Sequence, residues 1–291
     1  MIPFSAQAQS ANTGSTNRRP GDVQNIGNRN VSGRIFEVLP NLVSLEQETA
    51  LGQQMATKFE QNVKLLEDPV VTEYIDRLGQ NLVKHSDAKV PFHIKVVDAD
   101  AADVLALPGG FLYVNKGLIL EAESEAELAG GMAHGIAHVC ARHATQLQFK
   151  GQYLQFPMVS ASEAQSGVHY SYSLGGPRII SPESVGMSRA FEREADQLGV
   201  QYLWNTGYDP NAFVSLLEKE QAREKSDPGR SAGWLRTYPS TTDRIAQCLE
   251  EERALPKKDS YKTSSPEFDR VKARLLATDK AKRSVGSPEK K

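Results

Sequence analysis

The chain has 291 residues and a formal net charge of −2 at pH 7, with 39% hydrophobic and 24% charged residues. That length and composition fit one substantial core and exclude a mainly disordered chain, and the two cysteines are too few for a disulfide framework. There is no run of eighteen apolar residues, so the sequence predicts no transmembrane segment, and the scattered lysines and arginines of the C-terminal tail predict no nucleic-acid partner.

The N-terminal residues 1–43 are predicted to lie outside the folded domain. Ala6-Gln7-Ala8 has the small-x-small pattern of a signal peptidase site and follows a short apolar stub. We interpret residues 1–10 as the remnant of a signal peptide that begins upstream, with a chance run of small residues as the alternative. Residues 9–43 are rich in Asn, Ser, Gly and Arg, which predicts a flexible leader. The sequence therefore predicts an exported protein.

The predicted elements of the body, residues 44–256, follow from capping residues and from the spacing of apolar side chains. Ser44-Leu45-Glu46-Gln47 has the spacing of a capping box, and Asp68-Pro69 is a typical helix start. Helices are predicted over 44–66, 68–82, 121–148, 188–205, 210–223 and 241–253, and short strands over 92–97, 104–107 and 111–114.

Two further segments are predicted to differ from this regular body. Residues 151–187 show no clear period and separate two predicted helices, so they are the candidate for a lid or mobile loop. Residues 257–291 are rich in lysine and are predicted to form a basic, solvated extension with one short helix over 266–277.

The pattern that carries chemistry is a pair of histidines. On a helix, His134 and His138 lie about one turn apart and project from the same face, which suits a divalent metal with nitrogen ligands, most often zinc. A His pair at this spacing also occurs by chance. The segment Glu192-x-x-Ala195-Asp196, on a separate predicted helix, strengthens the prediction because it adds carboxylates to the set.

Together with several flanking motifs, the His pair resembles the gluzincin metallopeptidases of family forty-eight, the group that includes the CAAX prenyl proteases and bacterial periplasmic, Oma-type peptidases. The flanking motifs are Ala50-Leu51-Gly52, Leu107-Pro108-Gly109-Gly110-Phe111, Ala126-Glu127-Leu128-Ala129-Gly130, Ala141-Arg142-His143, Ser188-Arg189 and Gly207-Tyr208-Asp209-Pro210. The resemblance implies a mainly helical α+β, zincin-like fold with a small sheet at the edge of a cleft. The signal-like N-terminus predicts a periplasmic or otherwise exported protein of a bacterial envelope.

The resemblance also implies roles for individual residues. The three ligands of one zinc ion match His134, His138 and Glu192. Asp196, one helical turn further on, is expected to orient a ligand histidine; a solvated helix face is the alternative for Asp196 and Glu194. His143 falls about 140° around the helix from the second ligand histidine, so it is not expected to be a ligand. Residues 105–114 resemble the strand of the cleft to which a peptide adds through backbone hydrogen bonds, with an ordinary core strand as the alternative.

The chain departs from the family at two positions. Gly135 stands where the family has a glutamate that acts as general base, and loss of a positioned acid–base group typically lowers the rate by about 10² to 10⁴. Tyr238 replaces a histidine that lies over the metal, although its hydroxyl is still able to donate to an oxyanion. Arg244 matches the family and is expected to support the same side of the cleft, with an ordinary surface arginine as the alternative.

These features leave three interpretations of function. The first is a zinc metalloendopeptidase that acts on peptide bonds of envelope proteins, its substrates being unfolded or membrane-associated proteins. The second is a zinc-binding pseudopeptidase that holds unfolded or partner proteins in the same cleft, as a chaperone does. In the third, Gly135 is an engineered or accidental change in an otherwise active enzyme. Turnover by the purified chain beside a Gly135→Glu variant separates them.

Overall fold

The computed structural model describes residues 21–32, 43–149, 182–226 and 240–285. In these parts the chain forms nine helices and one three-stranded sheet, which confirms the predicted mainly helical α+β fold. The helices are α1 Leu45–Glu60, α2 Pro69–Lys84, α3 Lys116–Glu121, α4 Glu125–Cys140, α5 His143–Phe149, α6 Pro182–Asn205, α7 Asn211–Ser226, α8 Thr241–Ala254 and α9 Pro266–Val285, and the strands are β1 His93–Val97, β2 Val104–Leu107 and β3 Phe111–Asn115. None of the described helices has the length and apolarity needed to span a membrane.

Three predictions concern residues outside this description. They are the signal-peptide remnant at 1–10, most of the lid segment at 151–187, and the position of Tyr238. The remaining predicted elements can be compared with the structure directly.

The first two helices begin at their predicted capping residues. Ser44 Oγ accepts a hydrogen bond from the backbone of Gln47 at 3.2 Å, and the Gln47 side chain accepts one from the backbone of Ser44 at 3.0 Å. Asp68 caps α2 with a single hydrogen bond, which its Oδ1 accepts from the backbone of Val70 at 3.2 Å. The predicted end of α1 at residue 66 is wrong, because Leu66 instead donates a backbone hydrogen bond to β1 and the helix ends at Glu60.

The single helix predicted over 121–148 is also wrong, since α3, α4 and α5 occupy this stretch. α4 ends at Cys140 because Arg142 adopts a left-handed backbone conformation with φ of 59°. The guanidinium of Arg142 pairs with the buried carboxylate of Glu48 and donates to Val43 O at 2.6 Å. These contacts with the start of α1 offset the steric cost of the backbone conformation.

The sheet lies between α1 and α4. β3 is its central strand, with β1 parallel on one side and β2 antiparallel on the other. The antiparallel pairing of β2 with β3 matches the strand pair predicted over 104–107 and 111–114. The turn between β2 and β3 contains Gly109 and Gly110 at φ of 73° and 98°, which favours glycine. Leu112 of β3 packs in the cluster that includes α4, whereas Tyr113 points to the other face and meets Phe59 of α1. β2 therefore forms an edge beside α4.

Residues 21–32 differ from the flexible leader predicted over 9–43, most of which otherwise lies outside the described residues. Arg29 is buried, its guanidinium pairs with Asp87 at 2.6 Å, and its Nη1 donates to Gln201 Oε1 at 2.8 Å. A buried arginine of this kind is stable only when it is paired and hydrogen-bonded. The segment is therefore packed against α6 and is not solvated.

The C-terminal helix likewise differs from the predicted solvated extension. α9 runs on to Val285, and Phe268, Val271 and Leu275 each bury their side chains in the core. In its C-terminal half, Asp279 accepts a hydrogen bond from Lys116 at 3.0 Å. The apolar spacing of these three residues predicts the helix, but the amount of surface they bury is a property of the fold.

Candidate metal centre

Two helices supply the candidate metal ligands. α4 carries His134 and His138, and α6 carries Glu192. The helices approach closely because Gly199 of α6 lies against the backbone of α4, where a Cβ would come within 3.1 Å of His134 N. This approach brings the Glu192 carboxylate to the imidazole rings.

The three predicted ligands converge at the surface of this helix pair. Their ligand atoms all lie within 4.8 Å of one another. His134 Nε2 and His138 Nε2 are 3.1 Å apart, and the two carboxylate oxygens of Glu192 each lie 3.5 Å from one of these nitrogens. The histidine side chains are 19% and 23% exposed, so the cluster is accessible from one side.

The arrangement of these atoms fits a small divalent cation. Ligands about 2.0 to 2.1 Å from a tetrahedral ion lie about 3.3 to 3.4 Å from one another, and the observed separations bracket that range. Two imidazole nitrogens with lone pairs directed at each other repel unless a proton or a metal ion lies between them. Two nitrogens and a carboxylate oxygen form a donor set that transition metals prefer. The residues present therefore fit one metal ion.

The charges around the cluster favour a cation as well. Burial lowers the pKa of His134, but the hydrogen bonds and charges of Asp196 and Glu192 outweigh it and raise that pKa to about 9. For His138, burial outweighs the charge of Glu192 and lowers the pKa to about 4. Burial alone would raise the pKa of Glu192, yet the two histidines hold it well below its usual value. The site thus stabilises one positive charge between the rings and the carboxylates.

Asp196 lies behind His134 and is itself held by Arg244. Oδ1 of Asp196 is 2.9 Å from His134 Nδ1, although the N–H direction departs from the ideal hydrogen-bond line. Arg244 donates to both oxygens of Asp196 at 2.8 Å, and both residues are buried. The alternatives of a solvated helix face for Asp196 and a surface position for Arg244 are therefore wrong. The contacts of Arg244 with Asp196 and Glu220 give it an indirect influence on the cluster.

His138 has a different outer partner, which the sequence reasoning missed. His143 Nδ1 lies 3.0 Å from His138 Nδ1, and His143 Nε2 lies 3.1 Å from Glu194 Oε2. The prediction placed His143 away from the site because it assumed that α4 continues to residue 143, whereas the helix ends at Cys140. The left-handed Arg142 instead turns the chain back. The family motif Ala141-Arg142-His143 and the acidic Glu194 were the sequence signals for such a pair. The burial of Glu194 excludes a solvated position.

Gly135 lies on the face of α4 that meets the sheet. A Cβ at this position would be 2.9 Å from Leu112 Cδ1 and 2.9 Å from Val104 Cγ1, closer than Cβ atoms approach other atoms in proteins. Apolar side chains of β2 and β3 thus fill the space beside the glycine. Gly135 has no side chain to accept a proton, and its surroundings are apolar.

Comparisons with known proteins point to one family. The profile described as "Peptidase family M48" matches residues 69–252, which contain the whole candidate cluster. The beta-barrel assembly-enhancing protease of Escherichia coli (strain K12) is 30% identical over 247 residues, covering 80% of this chain and 49% of that protein. The protein of the same name from Yersinia pestis is 29% identical over 262 residues, covering 85% of this chain and 52% of that protein.

A third relative comes from a eukaryote. The mitochondrial metalloendopeptidase OMA1 of Schizosaccharomyces pombe is 27% identical over 181 residues, covering 62% of this chain and 52% of that protein. The chain therefore spans about half the length of the curated relatives it matches. The similarity includes both helices that carry the candidate ligands, since the family profile runs through them.

Proposed function

Because this chain belongs to peptidase family M48, we propose that it is a zinc-dependent metalloendopeptidase-type protein whose single zinc ion is held by His134, His138 and Glu192. The observation that carries the proposal is the convergence of two imidazole nitrogens and a carboxylate within 4.8 Å of one another. Structural zinc sites have four protein ligands, whereas catalytic sites have three and an open position. Three ligands at an accessible surface support the catalytic type.

The chain's own residues hold the ion and set the orientation of its ligands. Zinc, when bound, supplies Lewis-acid chemistry, because it polarises a peptide carbonyl and makes water a stronger acid. The Glu192 carboxylate balances part of the ion's charge. Asp196 orients the ring of His134, and the bidentate pair with Arg244 keeps Asp196 in place.

We propose that Gly135 makes peptide hydrolysis by this chain slow. A positioned general base typically contributes about 10² to 10⁴ to the rate of such a reaction. Glycine provides none, and the side chains of Val104 and Leu112 border the position with methyl groups. The residual activity that we expect would depend on a metal ion held by His134, His138 and Glu192.

The same packing favours a second candidate function, a zinc-binding pseudopeptidase with a chaperone-like role. Gly135 is packed against apolar side chains and provides no acid–base chemistry. The neighbouring strand β2 lies at the edge of the sheet. An extended peptide can add to such an edge through backbone hydrogen bonds alone. Binding without turnover is the expected outcome of that arrangement.

For substrates, we propose unfolded or membrane-associated proteins of the bacterial envelope. The names of two relatives refer to the assembly of beta-barrels, which supports protein substrates of this kind. The small-x-small pattern at Ala6-Gln7-Ala8 supports export to the periplasm.

The test compares the purified full chain with Gly135→Glu and, as a matched control of the same size, Gly135→Gln. Each variant is also made with Val104→Ala, because the structure leaves little room for a side chain at Gly135. Zinc content and the hydrolysis of casein are measured on all of them. We expect Gly135→Glu to hydrolyse casein about 10² to 10⁴ times faster than the unchanged chain and Gly135→Gln to gain nothing.

Each other outcome rejects a defined part of the proposal. Equal activity in the unchanged chain and Gly135→Glu means that the missing carboxylate is irrelevant. Zinc binding without hydrolysis in any variant, together with suppression of the aggregation of a denatured protein, supports the chaperone-like role. Absence of zinc, with no loss of thermal stability under a chelator, rejects the metal site itself.

A further inference from the structure

His143 is a buried histidine that the proposed chemistry does not use. It is the first residue of α5, and its ring stacks on Phe191 of α6 with centroids 4.4 Å apart and planes at 19°. One ring nitrogen faces His138 at 3.0 Å and the other faces Glu194 at 3.1 Å. The ring therefore connects a buried carboxylate to a candidate metal ligand.

The direction of these hydrogen bonds follows from the chemistry of the groups. An ionised carboxylate only accepts hydrogen bonds, so Nε2 of His143 carries the hydrogen and donates it to Glu194. In a neutral imidazole the other nitrogen is then an acceptor. Nδ1 of His143 consequently accepts a hydrogen bond from Nδ1 of His138. That leaves Nε2 of His138 with its lone pair.

The freed lone pair belongs to the nitrogen that faces the candidate metal centre. Nε2 of His138 is the atom that lies 3.1 Å from His134 Nε2 and 3.5 Å from Glu192 Oε1. The opposite tautomer of His138 would place a hydrogen at that point and prevent metal binding through Nε2.

We propose that His143, anchored by Glu194, is a positioning residue that sets the tautomer of His138 so that its Nε2 faces the metal. This inference rests on the proposed zinc site for its functional meaning, but the tautomer of His138 is a property of the protein without added zinc. Partners of this kind orient the ring of a ligand histidine, and their loss typically lowers metal affinity about 10- to 100-fold.

The surrounding structure holds His143 where this role requires it. The turn at Arg142 directs the chain back toward α4, and the ion pair of Arg142 with Glu48 stabilises that turn. Stacking on Phe191 limits rotation of the imidazole ring. Both His143 and Glu194 are buried, so water competes little for their hydrogen bonds.

A purely structural role is the competing explanation, since His143 also ties α5 to α4 and α6. The matched pair His143→Asn and His143→Leu separates the two. Asparagine places an acceptor oxygen near the original Nδ1, whereas leucine has a similar size and no acceptor. Loss of packing affects both variants, but loss of the acceptor affects only leucine.

The experiment uses the full chain and has two readouts. Long-range ¹⁵N–¹H NMR of the His138 ring, with zinc removed by a chelator, reports which nitrogen carries the hydrogen. Competition with a chromophoric chelator reports zinc affinity. We expect Nδ1–H on His138 in the unchanged chain and in His143→Asn, a mixture of tautomers in His143→Leu, and zinc affinity about 10- to 100-fold lower in His143→Leu alone.

The outcomes also distinguish this inference from the proposed function. Nε2–H on His138 in the unchanged chain, or an unaltered tautomer and zinc affinity in His143→Leu, overturns the inference. Equal loss of affinity in both His143 variants, with no change of tautomer, shows a structural role and overturns it as well. If the unchanged chain binds no zinc, the proposed function fails, while the NMR readout still decides the tautomer.

Discussion

The two histidines of the candidate metal centre are supported in different ways. His134 faces Asp196, a carboxylate whose charge is balanced by the buried Arg244. His138 faces another histidine, His143, which is held in turn by Glu194. The first support is an ion pair that joins α6 to α8, and the second is a chain of hydrogen bonds that joins α4, α5 and α6.

The two supports, Asp196 with Arg244 and His143 with Glu194, should therefore respond differently to mutation. A buried ion pair is costly to break, because removing one partner leaves an uncompensated charge in the interior. A hydrogen-bond chain contributes less to folding, but its direction decides which nitrogen of a ligand is free. Damage on the His134 side should therefore reduce folding stability most, and damage on the His138 side should reduce metal affinity most.

The largest expected effect is the loss of stability in Arg244→Met. The substitution leaves the Asp196 carboxylate buried without its arginine, which should lower the free energy of unfolding by about 3–5 kcal/mol. Urea denaturation, followed by circular dichroism in the presence of a chelator, measures the change. Arg77→Met is the matched control, because its pair with Glu267 is exposed and should contribute less than about 1 kcal/mol.

Similar losses in these two variants would contradict the importance of the buried pair. A loss in His143→Leu as large as that in Arg244→Met would remove the contrast between the two sides. The expected cost of leaving Glu194 without its donor is smaller, about 1–3 kcal/mol.

The second prediction concerns zinc. At a free zinc concentration 100 times the dissociation constant, the unchanged chain should gain about 2.7 kcal/mol of stability. In His143→Leu at the same zinc concentration, an affinity 10- to 100-fold lower reduces this gain to about 1.4 to 0.4 kcal/mol. Urea denaturation with and without zinc measures both gains, and the same gain in both proteins would contradict the role of His143 in metal binding.

The smallest expected effect is a change in folding stability at Gly135, which lies next to His134 on α4. Gly135→Ala adds a Cβ against Val104 and Leu112, and such overpacking costs about 1–3 kcal/mol. Alanine regains about 1 kcal/mol of helix propensity, so the net loss should be about 1 kcal/mol. A double-mutant cycle with Val104→Ala should show coupling between the two positions. Simple additivity would mean that the space beside Gly135 is not limiting.

The sequence predicted the parts of the site that depend on local spacing. The i, i+4 interval of His134 and His138 determines that both rings lie on one face of α4, and Glu192 was identified by its family motif. The role of His143 was not predictable in this way, because it depends on where α4 ends. That end is decided by a contact between Arg142 and Glu48, residues 94 positions apart in the chain.

The fold shows the same division between local and distant causes. Capping residues predicted the starts of α1 and α2. Alternating apolar residues predicted β1, and the turn Pro108-Gly109-Gly110 between two apolar runs predicted β2 and β3. The fastening of residues 21–32 was missed because the composition around Arg29 is that of a leader. Its partners, Asp87 and Gln201, are distant in sequence and gave no local signal.

The packing of residues 21–32 against the body has a consequence for the order in which the protein folds. Gly21 donates a hydrogen bond to Glu251 across 230 positions of the chain, and Arg29 reaches Gln201 across 172. Contacts between such distant residues require closure of a long loop, whose entropy must be lost before the contacts contribute. Helices α6 and α8 have to be in place before the segment can dock. The first part of the described chain to emerge during synthesis is therefore among the last to reach its native position.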